Sequence, residues 1–383
     1  MVACLGMNMA LVCDWLPTFG GAEHVLASFG RIWPSAPRFT TVAKDDAKRS
    51  VRISDVRTSR LQLLYSLSHR HEWLLPFMPR AMEDIDLRGF DTIVSSSHAV
   101  GKGIVPPSSA VHICYCHTPM RYAWEMEEQY LNDFGLKGPL RGAIKRELKR
   151  LRRWDLSTAR RVDTFVANSR ETQARIRRIY GRDSIVITPP VEDRFFSCTL
   201  PEKQRTYFLA IGRLVPYKRF DLLISLANIL NLPLMIAGVG REEQRLKSMA
   251  GPTVTFQGFV PDDELPPLYA HAKAVLFPQY EDAGIVPMEA QACGTPVIAY
   301  GKGGVLDSVI DGSTGILVSE QTVPAFAAAI ERFSLREWPA PAIREHAQRF
   351  CEASFMRSMQ TVIEDTRRAK GLPSHSHIRH SHV

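Results

Sequence analysis

Short apolar runs recur along the chain at Met7–Cys13, Thr92–Ser96, Val111–Cys116, Val162–Ala167 and Ser184–Thr188. A second series follows at Tyr207–Ile211, Leu234–Ala237, Thr253–Phe256, Ala274–Phe277, Val297–Ala299 and Gly315–Val318. The runs are continuous rather than alternating, the pattern of parallel strands covered on both faces. Between them the period is helical. Ala22, Val25, Leu26, Phe29, Ile32 and Trp33 form one apolar stripe, and Phe220, Leu223, Ile224, Ala227 and Leu230 form another. Repeated strand–helix units predict α/β architecture with doubly wound parallel sheets and right-handed crossovers. The series breaks at Pro189-Pro190 and resumes after an irregular stretch ending at Arg205, which marks a domain boundary. Two Rossmann-like domains are expected, over residues 1–190 and 205–354, their parallel sheets facing a central cleft that takes a ligand at the carboxyl ends of the strands. A last helix, about Pro341 to Ala369, is expected to pack its end, about 355–370, on the first domain. The tail 371–383, with His375, His377, His380 and His382, reads as disordered.

Composition narrows the class. A chain of 383 residues is too long for one compact core, and 45% apolar with 23% charged residues is ordinary globular composition. No apolar run approaches the roughly 20 residues that span a bilayer. The apolar start, Met1 to Leu16, has no basic leader region and no small-residue cleavage site, so it reads as a buried first strand, with Met7 or Met9 equally suited as the natural start. Seven cysteines are scattered without a CxxC pair, and Cys114 and Cys116 share one face of a strand. That argues against a zinc site or a disulfide framework and for a reducing, cytoplasmic setting. The net charge of +8 points to anionic partners.

The segment Glu281-Asp282-Ala283-Gly284-Ile285-Val286-Pro287-Met288-Glu289-Ala290 follows an expected strand. Pro287 suits the first turn of a helix, where its missing N–H costs nothing. The amides of Gly284, Ile285 and Val286 would then point out of the helix N-terminus, a ready site for a diphosphate, with Glu281 and Glu289 flanking it. One carboxylate would take sugar hydroxyls and the other a ribose. Read alone, the segment fits equally a helix start with incidental acids. Gly212-Arg213-Leu214-Val215-Pro216-Tyr217-Lys218-Arg219 places two cations at the end of the strand Tyr207–Ile211, where Arg213 can grip a phosphate with its planar fork and Lys218 adds a point charge. Phe19-Gly20-Gly21-Ala22-Glu23 lies between the first strand and the first helix, and Cys116-His117-Thr118-Pro119 closes the strand Val111–Cys116. Each alone also fits a turn or a structural histidine.

Together these pieces resemble family 4 of the GT-B glycosyltransferases, a retaining group. The match runs through Gly20-Gly21, His117-Thr118-Pro119, Ala167-Asn168-Ser169, Gly212-Arg213-Leu214 with Lys218, and Ala237-Gly238-Val239-Gly240. It continues through Gly258-Phe259-Val260, Glu281 with Glu289, Gly294-Thr295-Pro296-Val297 and Gly303-Gly304. The run from His112 to Trp124 is similar to a bacterial branch of mannosyltransferases of surface-polysaccharide assembly. The resemblance implies that Glu281, His117, Arg213 and Lys218 form the catalytic group, with Arg213 and Lys218 on the donor diphosphate, Glu281 on the transferred sugar and His117 near its anomeric carbon. It assigns Glu289 to the ribose, Phe259 and Val260 to the base, and Gly20, Gly21, Gly238, Gly284, Ile285 and Val286 to the donor. The sequence departs from many relatives at Ala283, where they carry a bulkier residue, and Gln291 has no reading from the sequence.

The resemblance implies transfer of a hexose, mannose from GDP-mannose, to a polyprenyl-diphosphate-linked oligosaccharide in polysaccharide biosynthesis, with UDP-sugars the alternative donors. A non-catalytic nucleotide-sugar-binding protein and a nucleic-acid-binding protein are the rivals from other classes. No cofactor or metal is expected, because Arg213, Lys218 and the helix N-terminus can take up the leaving-group charge. Asp84-Ile85-Asp86 is formally a metal-binding D-x-D without a supporting element, Gly238-Val239-Gly240 lacks the third glycine of a dinucleotide fingerprint, and no phosphate-binding Gly-x4-Gly-Lys-Ser/Thr occurs. From Arg141 to Arg161, Lys145, Arg146, Lys149, Arg150, Arg152 and Arg153 interleave with Leu140, Ile144, Leu148 and Leu151 at helical spacing. The pattern is either a solvated helix face or a peripheral anchor on the anionic inner face of the cell membrane, its leucines entering the lipid boundary. No nucleic-acid reading head accompanies the charge.

Overall fold

The computed structural model describes residues 7–17, 20–45, 55–125, 127, 138–200 and 205–373. Phe19 and residues 374–383 of the tail lie outside the described residues, whereas Gly371–Pro373 are tied to the last helix by Arg367, whose guanidinium donates to the Pro373 carbonyl at 3.1 Å. The chain divides into two compact units: residues 1–168, 172–187 and 356–383, and residues 169–171 and 188–355.

The first unit carries a seven-stranded parallel sheet. Its strands are β1 (Met9–Cys13), β2 (Arg38–Thr40), β3 (Val56–Thr58), β4 (Thr92–Ser97), β5 (Val111–Cys116), β6 (Thr164–Ala167) and β7 (Ser184–Val186), in spatial order β3-β2-β1-β4-β5-β6-β7. β1, β4 and β5 are buried at every position, which is why they read as continuous apolar runs. The short strands β2 and β3, with β3 at the sheet edge, add to the expected set. Helix Glu352–Ala369 closes this unit: its Arg367 donates to Asp91 Oδ1 at 2.6 Å, and the Thr366 and Thr164 hydroxyls lie 2.8 Å apart.

The second unit holds a six-stranded parallel sheet of β8 (Tyr207–Ile211), β9 (Leu234–Ala237), β10 (Val254–Gly258), β11 (Ala272–Phe277), β12 (Val297–Tyr300) and β13 (Gly315–Val318), in order β10-β9-β8-β11-β12-β13. Phe220, Leu223 and Ala227 of helix Phe220–Leu230 pack into its core with Phe208, Leu234 and Ile236. The single terminal helix expected from Pro341 to Ala369 is two, Ala340–Ala347 and Glu352–Ala369. They are split where the Phe350 carbonyl turns out of helical pairing to accept from Val191 N at 2.8 Å.

In each sheet the winding direction reverses once, between β1 and β4 and between β8 and β11. In open parallel sheets ligands bind outside the strand carboxyl ends at such a reversal.

Candidate active site

At the second reversal, β8 runs into Gly212 and a tight 3-10 turn, Pro216–Lys218, which ends at Arg219 in the left-handed region (φ 55). The turn sends the Lys218 side chain back beneath the strand end, where it is buried. Its Nζ lies 2.5 Å from Glu281 Oε1. Glu281 comes from the loop after β11, and a glycine pair holds its backbone. Gly304 N donates to the Glu281 carbonyl at 2.9 Å. A Cβ at Gly303 would come within 2.4 Å of that carbonyl oxygen, and one at Gly304 within 2.3 Å of the Asp282 carbonyl oxygen. Only glycine permits this approach.

The same loop leads into helix Ile285–Ala292, capped by Gly284 (φ 70). The first amides of a helix have no acceptor within it and carry its positive end, so Gly284, Ile285 and Val286 begin an anion-binding terminus beside the Lys218–Glu281 pair. Glu289 lies further along the helix and accepts from the buried Tyr269 hydroxyl at 2.8 Å. Burial, then Glu289, pushes the Tyr269 pKa well up, so the phenol stays a donor. Gln291 gains a reading here: it is buried, and its Nε2 donates to the Pro287 carbonyl at 2.9 Å, bracing the first turn. Arg213 is exposed, and no ion pair is recorded for it among the described residues. Gly238 meets the Gly212 backbone, where a Cβ would stand 2.0 Å from the Gly212 carbonyl oxygen. Its amide donates to the Gly258 carbonyl at 2.7 Å, linking three strand ends. Beyond Gly258, Phe259 is exposed and Val260 packs partly into the core. The fold therefore pairs Lys218, after β8, with Glu281, after β11, on the segment that runs on into the amide terminus and Glu289, while Arg213 and Phe259 are exposed.

In the first unit, Gly20 caps helix Gly21–Ile32. His117 follows β5 and shares a 2.8 Å hydrogen bond between its Nε2 and Ser96 Oγ. Burial, then the neighbouring His98 charge, lowers its pKa to about 3, leaving it neutral. Its companions, Asp14 and His98, belong to no motif of the sequence. Asp14, after β1, accepts from the amides of His98 at 2.7 Å and Ala99 at 3.1 Å, and its Oδ2 lies 2.9 Å from His98 Nδ1. Burial alone would raise the Asp14 pKa; the His98 cation and the amides outweigh it and bring it to about 2. Burial would lower the His98 pKa, and Asp14 raises it instead. Trp15 meets His98 edge-on at 5.0 Å. Three neighbouring strands, β1, β4 and β5, thus each end near a titratable residue, a pattern present in the sequence once the strands are aligned.

Two readings of charged segments change. Helix Gly138–Thr158 buries Leu148 and Leu151 in the first unit's core, with Ile144 packed against them, so those side chains are not available to a lipid boundary. Leu140's side chain lies outside the described residues. Asp84 and Asp86 are held by Arg80 at 3.0 Å and Arg88 at 2.6 Å. Among the described residues no group of three or more His, Cys, Asp or Glu is placed to hold a metal ion, and no helix is long and apolar enough to cross a membrane.

Two doubly wound parallel sheets, with the chain's end returned to the first, define the GT-B class of glycosyltransferases. Anabaena HepE in complex with UDP-glucose shares this fold with a TM-score of 0.69 at 18% identity, covering 93% of this chain and 99% of that one. Residues 19–194 match the model of Glycosyltransferase Family 4, and residues 192–354 match that of Glycosyl transferases group 1. The two models, both of glycosyltransferases, together take in residues 19–354 of the chain. A D-inositol 3-phosphate glycosyltransferase of Salinispora arenicola is 31% identical over 214 residues, 48% of this chain and 47% of that protein. A GDP-mannose-dependent alpha-(1-6)-phosphatidylinositol monomannoside mannosyltransferase of Mycolicibacterium smegmatis is 32% identical over 199 residues, 44% of this chain and 52% of that protein. The chain spans about half the length of these curated relatives.

Proposed function

We propose that this protein is a retaining, metal-independent hexosyltransferase that moves mannose from GDP-mannose onto a polyprenyl-diphosphate-linked oligosaccharide at the inner face of the cell membrane. One observation carries the reading: the Lys218–Glu281 pair, 2.5 Å apart, set beside the amide terminus of helix Ile285–Ala292. The terminus, Lys218 and Arg213 take the diphosphate, and Glu281, held in place by Lys218, accepts from hydroxyls of the sugar. Glu289, held by Tyr269, takes the ribose.

In the reaction the bond from anomeric carbon to the β-phosphate oxygen breaks, and its electrons go to the diphosphate, where the fixed cations stabilise them. The acceptor hydroxyl bonds to the anomeric carbon from the face the diphosphate leaves, and its proton passes to the departing phosphate oxygen. Configuration is retained. The first unit is assigned the acceptor, with His117 acting as a neutral hydrogen-bonding group. The Mycolicibacterium relative's use of GDP-mannose supports that donor. The UDP-glucose complex of HepE supports UDP-glucose as the second reading.

A panel of GDP- and UDP-sugars, scored for donor hydrolysis and for thermal stabilisation, tests both. Turnover of GDP-mannose above all others is expected. Stabilisation without turnover of any donor would make the protein a nucleotide-sugar binder.

A further inference from the structure

With Leu148 and Leu151 committed to the core, the first unit's exposed apolar surface lies elsewhere. Five large apolar side chains cluster within residues 63–77: Leu63 is 75% exposed, Leu64 51%, Leu67 84%, Trp73 65% and Phe77 59%. They belong to helix Leu61–Ser68 and the adjoining 3-10 segment His71–Phe77, which pack on each other. The helix buries only Tyr65. Three leucines on an eight-residue helix face water although water disfavours them, and no residue among those described covers them.

Arginines flank this ridge, with the exposed carboxylate of Glu72 among them. A groove of about 1410 Å³ beside it is lined by Leu61 and Phe77 together with Arg57, Arg60, Arg80, Arg88 and Arg150. Asp55 pairs with Arg57, Asp84 with Arg80, Asp86 with Arg88, and Glu147 stands 3.9 Å from Arg150. Arg60 and Arg70 are exposed, and no carboxylate partner is recorded for either among the described residues. The Arg70 guanidinium lies over the Trp73 ring at 5.3 Å. From Arg150, Arg146, Lys149 and Arg153 continue the exposed basic edge along one face of helix Gly138–Thr158.

We propose that this ridge is a docking surface for an anionic phospholipid bilayer, with Leu63, Leu64, Leu67, Trp73 and Phe77 entering the headgroup–acyl boundary and the surrounding arginines meeting lipid phosphates. Leucine and tryptophan flanked by arginine is the chemistry that boundary selects. A second copy of the chain is the poorer occupant, because a symmetric contact would set Arg60, Arg70 and Arg150 against their own counterparts. The surface rests on the lipid-acceptor reading for its purpose but not for its physics.

The test is co-sedimentation of the full chain with vesicles of phosphatidylcholine alone and of phosphatidylcholine mixed with phosphatidylglycerol, neither containing an acceptor. Binding is expected only to the anionic vesicles and should weaken as salt rises. L63S/L67S should weaken it by roughly tenfold or more. R60Q/R150Q should flatten its salt dependence. L335S, an equally exposed leucine of the second unit, should change nothing. Equal binding by L63S/L67S, or no binding to anionic vesicles, overturns the proposal. So does a concentration-dependent dimer in sedimentation velocity that L63S/L67S abolishes. Thermal stabilisation by GDP and UDP is measured on the same samples. Its loss would count against the donor reading while leaving the surface intact, and its persistence in a variant that no longer sediments would confine the defect to the surface.

Discussion

Lys218 and Glu281 are each other's only recorded ion-pair partner among the described residues, in a setting that excludes most water. Lys218→Ala and Glu281→Ala should each lower turnover of the preferred donor by about 10²-fold or more, because each removes a charge placed where charge develops. Steady-state rates at saturating donor check this, and near-normal turnover in both variants would refute the assignment. His112 gives a separate, structural prediction. It is fully buried, shares a 2.8 Å hydrogen bond between its Nε2 and Ser95 Oγ, and burial lowers its pKa to about 4. The unfolded chain therefore takes a proton near pH 6.5 that the folded chain refuses. The stability contributed is complete above 6.5 and lost as pH falls toward about 4, on the order of 3 kcal/mol. His117 acts in the same direction toward about 3, while His98, with its raised pKa, loses its contribution as pH rises. Amide exchange in β4 and β5 measured from pH 6.5 down to 4.5 should show the loss, and His112→Gln should reduce its slope by close to one proton. Lys218 and Glu281 were legible in the sequence because each follows a strand run with recognisable spacing. Asp14 and His98 were not, because their pairing depends on β1 lying beside β4, which no local pattern encodes.

At the scale of elements, β1, β4, β5 and β8 were legible because burial on both faces makes them continuous apolar runs. β2 reads Arg-Phe-Thr and β3 Val-Arg-Thr, three-residue strands toward a sheet edge whose membership comes from pairing, β2 with β1 and β3 with β2, rather than from hydrophobicity. The helical period of residues 141–153 was also legible, but whether its leucines faced a core or a lipid surface was not, since both choices give the same pattern. The Gly303-Gly304 pair shows how an element can position chemistry it does not perform. A Cβ at Gly304 meets backbone atoms of Asp282 and Ala283, which cannot yield as a flexible side chain would. Gly304→Val should shift the Glu281 loop, cutting turnover nearly as far as Glu281→Ala and lowering the thermal midpoint. Gly142→Ala, in an open position on helix Gly138–Thr158, is the contrasting case. It should leave turnover unchanged and stabilise by about 0.5–1 kcal/mol. Calorimetry and rate measurements on the two variants distinguish a packing glycine from an incidental one.

Over the whole molecule basic residues outnumber acidic ones, and the proposed mechanism uses two of them in place of a divalent cation. The chain carries 48 lysines and arginines against 40 acids, and part of that excess sits at strand ends as Arg213 and Lys218. A departing nucleoside diphosphate gains negative charge, which either a bound metal or fixed cations can stabilise, and fixed cations require no reorganisation at the moment of reaction. Among the described residues, four candidate carboxylates already have partners. Glu281 is committed to Lys218, Glu289 accepts from Tyr269, and Asp84 and Asp86 are bound by Arg80 and Arg88. Turnover should therefore stay within about twofold when EDTA is added to enzyme dialysed free of divalent ions, since twofold is only about 0.4 kcal/mol of barrier. Added Mg²⁺ should not rescue Lys218→Ala. The measurement is a paired rate assay with EDTA and with Mg²⁺ for wild type and variant. A rate that collapses in EDTA and returns with Mg²⁺ would mean that a metal, not Lys218 and the amide terminus, carries the leaving-group charge.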